Sequence, residues 1–254
     1  MNERTRADQY DATDEDYVRY WDGRDYEHAA ETVAVRRLLG RTHCRRAADI
    51  GGGFGRLSLV LQTYADEVTL LDTSKKQLEA AKEFVGDHPR IRLQLMRPAA
   101  FGLPDGSMAI VTMVRVMHHL PDPGPTLAEI SRVLHPKGMA IIEVANLAHA
   151  VNRMRYLAHG RSVPRSPIDI RSAEKRAEGS IPFVNHHPAS VVRQFSEAGL
   201  SVERTLSVSN LRHPALKRAF SQGFLLALER AMQAPLAPLA FGPSLFYLLR
   251  PSHA

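Results

Sequence analysis

A single cysteine, Cys44, stands in this chain. That scarcity excludes a disulfide framework, a four-cysteine zinc site and a cysteine-ligated iron–sulfur cluster, and leaves Cys44 to be read as a small buried side chain. Long hydrophobic runs are also lacking. The most apolar stretch, Gly223 to Leu249, is broken by Glu229, Arg230, Pro235, Pro238 and Pro243, so it does not read as a spanning helix. No apolar run follows Met1-Asn2-Glu3-Arg4-Thr5-Arg6, and a signal peptide is therefore not expected. Internal repeats and low-complexity segments are absent as well. Together these absences point to an intracellular, cytoplasmic protein with no membrane partner.

What is present is ordinary in amount and uneven in distribution. A hydrophobic content of 44% and a charged content of 24% over 254 residues suit one domain with embellishments. The formal net charge is +6, yet positions 1–31 hold ten acidic and four basic side chains, so that arm carries −6 and the remainder +12. Positions 151–180 hold seven Lys or Arg against three Asp or Glu, including Arg153, Arg155, Arg161, Arg165 and Arg171. This stretch is the candidate anion-contacting surface. Only Tyr156 lies within it as a stacking aromatic, which favours a solvated insertion, or a partner for the acidic arm, over a nucleic-acid groove.

Apolar runs alternate with helical patterns, as a parallel sheet covered on both faces requires. Strands are expected near 46–50, 67–72, 91–95, 108–116 and 138–145, with helices near 55–64, 75–85 and 123–134. Thr73 or Ser74 suits the cap of the helix beginning at Lys75. Residues 147–180 read as an insertion over the sheet edge. Pro188 then suits the first position of a helix that Gly199 closes, Leu200 to Val208 alternates as a sixth strand, 213–233 reads as helical, and Ser244 to Leu249 forms a last strand.

The most informative segment is Ala47-Ala48-Asp49-Ile50-Gly51-Gly52-Gly53-Phe54-Gly55. It reads as a buried strand opening into a glycine-rich turn where a ligand can approach the backbone. A dinucleotide fingerprint starting at Gly51 needs glycine at position 56, where Arg56 stands. Val68-Thr69-Leu70-Leu71-Asp72 follows, ending in a carboxylate 17 positions after Gly55, where an acidic side chain can accept hydrogen bonds from ribose hydroxyls. Leu103-Pro104-Asp105-Gly106-Ser107, Met117-His118-His119-Leu120-Pro121-Asp122 and Glu129-Ile130-Ser131-Arg132-Val133-Leu134-His135-Pro136-Lys137-Gly138 come next in order.

The D-x-G-x-G-x-G run and these later motifs resemble the small-molecule branch of class I S-adenosylmethionine-dependent methyltransferases, closely over about positions 45–146. The resemblance implies a Rossmann-like, doubly wound, mostly parallel seven-stranded α/β sheet with a reversed last strand. It implies one methyltransferase domain over 1–254, with a helical arm over 1–44, the cofactor-binding core over 45–146 and substrate-side insertions with the last helix and strands over 147–254. S-adenosylmethionine is the implied cofactor. Asp49 orients the loop, Gly51, Gly53 and Gly55 admit the cofactor, Asp72 holds its ribose, and Thr73 and Arg115 border it. The arm concentrates Tyr10, Tyr17, Tyr20, Trp21 and Tyr26. In related enzymes such an arm folds over the cofactor, so Tyr20 and Trp21 are candidates to line the substrate pocket and shield the sulfonium, or else to anchor the arm.

His118 and His119 follow the fourth strand, at the carboxyl edge where open α/β sheets place ligands, and are the candidate general bases. Their alternative role is structural. His186 and His187 form a second pair that lines the substrate pocket or leads into the helix at Pro188; no carboxylate at ligand spacing accompanies them, so no metal is expected. Three positions depart from the family pattern. Ala99 replaces an acidic residue that holds the adenine amino group, which removes a hydrogen bond of about 1 kcal/mol. Met108-Ala109 replaces Phe-Asp, and Pro136-Lys137-Gly138 replaces Pro-Gly-Gly. The stretch Arg115-Val116-Met117-His118 lacks the Asn-Pro-Pro-Tyr of amino-methylating nucleic-acid enzymes, and no Pro-Cys nucleophile is present. Methyl transfer to a small-molecule O, N or C nucleophile is the expected function. The alternatives are an RNA- or ribosome-directed enzyme using the 151–180 surface, and a degenerate fold that binds without turnover.

Overall fold

A computed structural model describes Asp11 and residues 18–97, 99–178 and 180–252. Tyr10 and Tyr17 lie outside the described residues. The arm enters as a 3-10 turn at Arg19–Trp21 and continues into helix α1, Asp25–Leu39. Strand β1, Cys44–Ile50, leads through the glycine loop to the short helix α2, Ser58–Leu61. Then come β2, Ala65–Asp72, helix α3, Lys75–Val85, and β3, Ile91–Leu95. Strand β4, Met108–Met113, is followed by a 3-10 turn at Met117–His119, helix α4, Gly124–Val133, and β5, Leu134–Ala145.

The insertion is more structured than its sequence suggests. It holds helix α5, Ala150–Ala158, strand β6, Ile168–Asp169, and helix α6, Ala173–Ala177; strand β7, Val184–Asn185, closes a two-stranded antiparallel sheet with β6. Helix α7, Pro188–Glu197, strand β8, Leu200–Val208, helices α8, Pro214–Ala219, and α9, Gln222–Met232, and strand β9, Ser244–Pro251, complete the chain.

Seven strands form one sheet in the order β3-β2-β1-β4-β5-β9-β8. The first four pairings are parallel, and β9 runs antiparallel to both neighbours, so the last strand is reversed as expected. Central strands are apolar on both faces because helices cover both. Side chains alternate accordingly. Val111, Ile142, Leu245 and Tyr247 join the core under α4 and α7, whereas Ile110, Ile141, Phe246 and Leu248 join the core under α1 and α9.

Local signals set several boundaries. Ser74 Oγ accepts the Gln77 N–H at 3.1 Å and caps α3, and Pro188 opens α7. Three expectations need correction. The helix expected over 55–64 shrinks to Ser58–Leu61, because Tyr64 carbonyl accepts the Cys44 N–H and the chain turns at once into β2. β4 ends at Met113, not 116, since Arg115 takes φ +64°. β5 starts at Leu134 and not 138, with an irregular register between Met108 and Ile110 that absorbs the Pro136-Lys137-Gly138 bend.

Candidate cofactor and active site

Parallel strands β1, β2 and β4 end on one edge, and the loops beyond them define the site. Asp49, at the end of β1, is buried and accepts hydrogen bonds from Thr112 Oγ1 and Ser58 Oγ, each at 2.7 Å. It therefore ties the loop's entry to β4 and its exit to α2. Burial pushes its carboxyl above the usual range, against the pull of those two hydroxyls. The glycine turn is pinned to β2: Gly51 and Gly52 N–H donate to the Leu71 carbonyl at 2.7 and 3.1 Å. Gly53 N–H donates to Asp72 Oδ2 at 2.9 Å, and Ser74 N–H donates to Asp72 Oδ1 at 3.0 Å. Asp72 is buried, and its carboxyl is pushed up to about 6 by desolvation despite these donors. Thr73 lies between Asp72 and the helix cap, partly buried.

Two glycines let the turn pack this closely. Gly51 sits at φ +65°, and a Cβ there would stand 2.3 Å from Val116 Cγ2. At Gly55, φ is +94° and a Cβ would stand 2.6 Å from Val85 Cγ2. Neither position tolerates a side chain, because the turn packs directly on Val116 and Val85; beside it lies an opening lined by Gly51, Gly52, Phe54, Arg56 and Val114. A cofactor whose ribose meets Asp72 and whose chain follows the glycine backbone fits these residues. Ala99 lies exposed in the turn closed by the Arg97–Ala100 bridge, so the adenine carboxylate of the family pattern is absent there. Asp11, to which no sequence motif points, reaches the same edge: it accepts from Ser74 Oγ at 2.6 Å and from Lys76 N–H at 3.1 Å over the start of α3.

On the other side of the glycine loop stands a buried ionic cluster that the sequence reading also missed. Glu31 of α1 is fully buried; its Oε2 accepts from Arg56 Nη2 at 2.5 Å and its Oε1 from Arg115 Nε at 2.7 Å. Burial alone would raise the Glu31 carboxyl, but the two guanidiniums outweigh it and hold the group below its ordinary value. Arg115 N–H donates to Glu143 Oε2 at 3.1 Å, and Ser244 Oγ donates to Glu143 Oε1 at 2.7 Å, which explains the left-handed backbone at Arg115. Glu143 is itself raised by burial. Tyr20 and Trp21 are brought to this cluster. The Arg56 guanidinium lies 3.8 Å from the Trp21 ring centroid and that of Arg115 5.4 Å, while Arg24 lies 4.0 Å from Tyr20. These rings stack on arginines in the structure, so the anchoring role is the one visible. The Trp21 indole N–H is buried without a hydrogen-bond partner.

The histidines separate. His118, His119 and His186 gather behind the 3-10 turn after β4. His118 is buried, its ring 3.9 Å from that of His119 and 4.4 Å from that of Phe183. Burial holds His118 neutral, well below its ordinary value. His119 Nδ1–H donates to the Pro182 carbonyl at 2.8 Å, which leaves Nε2 as the basic nitrogen; burial lowers this ring to about 4. His186 Nε2–H donates to the Met117 carbonyl at 3.1 Å and joins the turn to the insertion. His187 is elsewhere: its ring accepts the Ala189 N–H at 3.2 Å and caps α7.

A sheet of this order, with a glycine cradle after β1 and a buried carboxylate after β2, defines a nucleoside-cofactor enzyme of the Rossmann-like methyltransferase class. Residues 48–142 match a family profile described as a methyltransferase domain. The chain is 31% identical to the 27-O-demethylrifamycin SV methyltransferase of Amycolatopsis mediterranei over 229 residues, covering 84% of this chain and 76% of that one. It is 28% identical to the uncharacterized methyltransferase YcgJ of Bacillus subtilis over 124 residues, 47% of this chain and about half (49%) of that relative's length. An S-adenosylmethionine-dependent methyltransferase from Mesorhizobium loti superposes with a TM-score of 0.61 at 19% identity, covering 89% of this chain and 99% of that chain. The chain belongs to the S-adenosylmethionine-dependent methyltransferase family.

Proposed function

We propose that this chain binds S-adenosylmethionine on the Gly51–Gly55 loop and methylates a small-molecule nucleophile brought to the edge beyond β4. The observation that carries the reading is the Gly51–Gly53–Asp72 arrangement. A glycine turn packed too closely on Val116 for any side chain at Gly51 stands beside a carboxylate already held in place by two backbone amides. When bound, the cofactor supplies a methyl carbon on a cationic sulfur, already activated toward a nucleophile.

The protein's tasks are then to hold, orient and keep dry. Asp49 and Asp72 fix the loop and offer acceptors, and Arg56, which lines the opening, is held by Glu31 and by the Trp21 ring. His119 Nε2 is the basic nitrogen that we assign to take a proton from an acceptor hydroxyl or ammonium. A ring lowered to about 4 is neutral across the physiological range, so it is always in the form that accepts a proton, though its conjugate acid is strong. His118 and His186 support that turn. The relative that acts on 27-O-demethylrifamycin SV favours an oxygen nucleophile on a small molecule.

Calorimetric titration of the stripped protein with S-adenosylmethionine and with its demethylated product tests the reading directly. Micromolar binding of both, lost in Asp72→Ala, upholds it. No heat with either ligand overturns it and leaves the fold as a degenerate member of its family.

A further inference from the structure

Two segments in the second half of the chain carry charge of one sign. Between Val144 and Ile168 there are four arginines and no Asp or Glu. From Arg204 to Ala254 the sole carboxylate side chain is Glu229, which is fully buried against Tyr26 and Asn210. The surface built by these segments therefore carries arginine and lysine with no exposed acidic side chain of its own.

The same surface is apolar where it should be polar. Helix α5 buries none of its residues and presents Val151, Met154 and Leu157 to solvent, the last two 61% and 76% exposed. The segment after α9 is bonded to it: Ala150 N–H donates to the Phe241 carbonyl at 3.0 Å, and Arg153 Nη1 donates to the Leu239 carbonyl at 2.5 Å. Leu239 and Phe241 are exposed too. On α9, Phe224 and Leu228 are exposed, with Phe220 just ahead of the helix set against Phe224 at 5.3 Å between ring centroids, while Leu225 and Glu229 form the buried side that packs on α1. α5 begins five residues after the end of β5, and α8, which leads into α9, six residues after the end of β8, both at the sheet edge where β1, β2 and β4 end.

We propose that this face seats on an anionic lipid bilayer. The side chains of α5 and α9 enter the boundary between headgroups and acyl chains, and Arg155, Arg161, Arg165 and Arg218 meet lipid phosphates. With 9 and 11 residues, α5 and α9 are too short to cross a membrane and lie on it instead; no helix among the described residues is long and apolar enough to span. A second copy of the chain is the poorer occupant, because a two-fold contact would set the same arginine excess against itself. RNA is poorer as well, since Val151, Met154 and Leu157 offer nothing to a base or a phosphate. Seating stands whatever atom is methylated. Joined to the activity proposed above, on which this clause rests, it brings acceptors dissolved in the bilayer to the site's rim.

Co-sedimentation of the full chain with vesicles tests it. One set is phosphatidylcholine alone, the other equal parts phosphatidylcholine and phosphatidylglycerol. Wild type is expected to pellet with the second set and not the first. Met154→Glu/Leu157→Glu, Phe224→Glu/Leu228→Glu and Arg155→Glu/Arg161→Glu should each lower partitioning about tenfold or more. All three pairs are exposed, so unfolding midpoints should match wild type. Wild type left in the supernatant, variants that pellet like wild type, or patch-dependent dimerisation or RNA-oligonucleotide binding in place of vesicle binding would each overturn the proposal. Titration of the same samples with S-adenosylmethionine separates the two readings. Vesicle binding without cofactor affinity sinks methyl transfer alone, and cofactor affinity without vesicle binding sinks the seating alone.

Discussion

Glu31→Gln is the sharpest perturbation of the structure. The side chain is fully buried, and its two oxygens accept three contacts of 2.5–2.7 Å from Arg56 and Arg115, both of which are largely buried themselves. Glutamine preserves the shape but removes the charge and turns one acceptor into a donor facing a guanidinium. Two cations are then left close together in a poorly solvated space, the situation in which breaking a buried pair costs about 3–5 kcal/mol. Because both arginines keep an edge toward solvent, about 3 kcal/mol is the appropriate end of that range. For a chain of this size that corresponds to a fall of about 6–12 °C in the unfolding midpoint. Urea unfolding followed by circular dichroism reads it as a lower midpoint concentration at unchanged slope. The cluster also holds Arg56 and Arg115 against the Trp21 ring, so indole fluorescence should shift toward a more exposed environment. A Glu31→Gln variant within about 1 kcal/mol of wild type would refute the reasoning, since the arginines would then be solvated without their partner.

Four further outcomes are expected. Gly51→Ala, which forces a Cβ to within 2.3 Å of Val116 Cγ2 at positive φ, should weaken S-adenosylmethionine binding about tenfold and destabilise the fold by about 1–2 kcal/mol, read by titration and thermal melts. Asp72→Ala should raise the cofactor dissociation constant at least about tenfold; unchanged affinity would remove Asp72 from the ribose site. His119→Ala should slow turnover about a hundredfold at constant cofactor affinity, and wild-type turnover should level off above about pH 5, because the ring titrates at about 4. An intact rate would leave His119 a structural residue. Cofactor affinity should fall as pH drops through about 6, where Asp72 gains its proton and ceases to accept two ribose hydrogen bonds. Titration in two buffers of different ionisation enthalpy should then show proton release on binding, and buffer-independent heats would contradict it.

Local chemistry made much of the site legible in advance. Asp49, the glycine loop and Asp72 announce themselves because strand ends, a sharp turn and a carboxylate must follow one another in sequence to meet in space. Ser74 and Pro188 are legible for the same reason, since caps act over three or four residues. The ionic cluster was hidden because positions 31, 56 and 115 share no local pattern. One trace existed: Glu31 falls among Ala30, Ala34, Val35 and Leu38, on the stripe that α1 buries, where an unpaired charge is not tolerated. Helix α5 was missed because its apolar side chains face solvent and so give no core-facing signal. The early start of β5 was masked by Pro136 and Gly138, which read as a turn and instead sit within an irregular strand.

Electrostatics separates the candidate ligand site from the packing around it. Asp72 and Glu31 are both buried carboxylates, yet they act on stability with opposite sign. Asp72 is raised to about 6 from 3.8, so its ionised form opposes folding at neutral pH by about 3 kcal/mol, a cost that vanishes as pH falls from about 6 to about 4. Glu31 is lowered, so its contribution is present above its unfolded value of 4.5 and is lost as acid protonates it through the depressed folded value. The arginines satisfy Glu31 within the protein. Asp72 has backbone amides, and Asp49 two hydroxyls and the weaker pull of the Arg56 charge, to set against burial. A ligand offering two hydroxyl donors to Asp72 offsets part of that cost and lowers the carboxyl toward its ordinary range. On the function proposed above, binding affinity is stored in the free protein as a destabilised anion beside the glycine turn, while the arm is held in place by a cluster that already balances its charge.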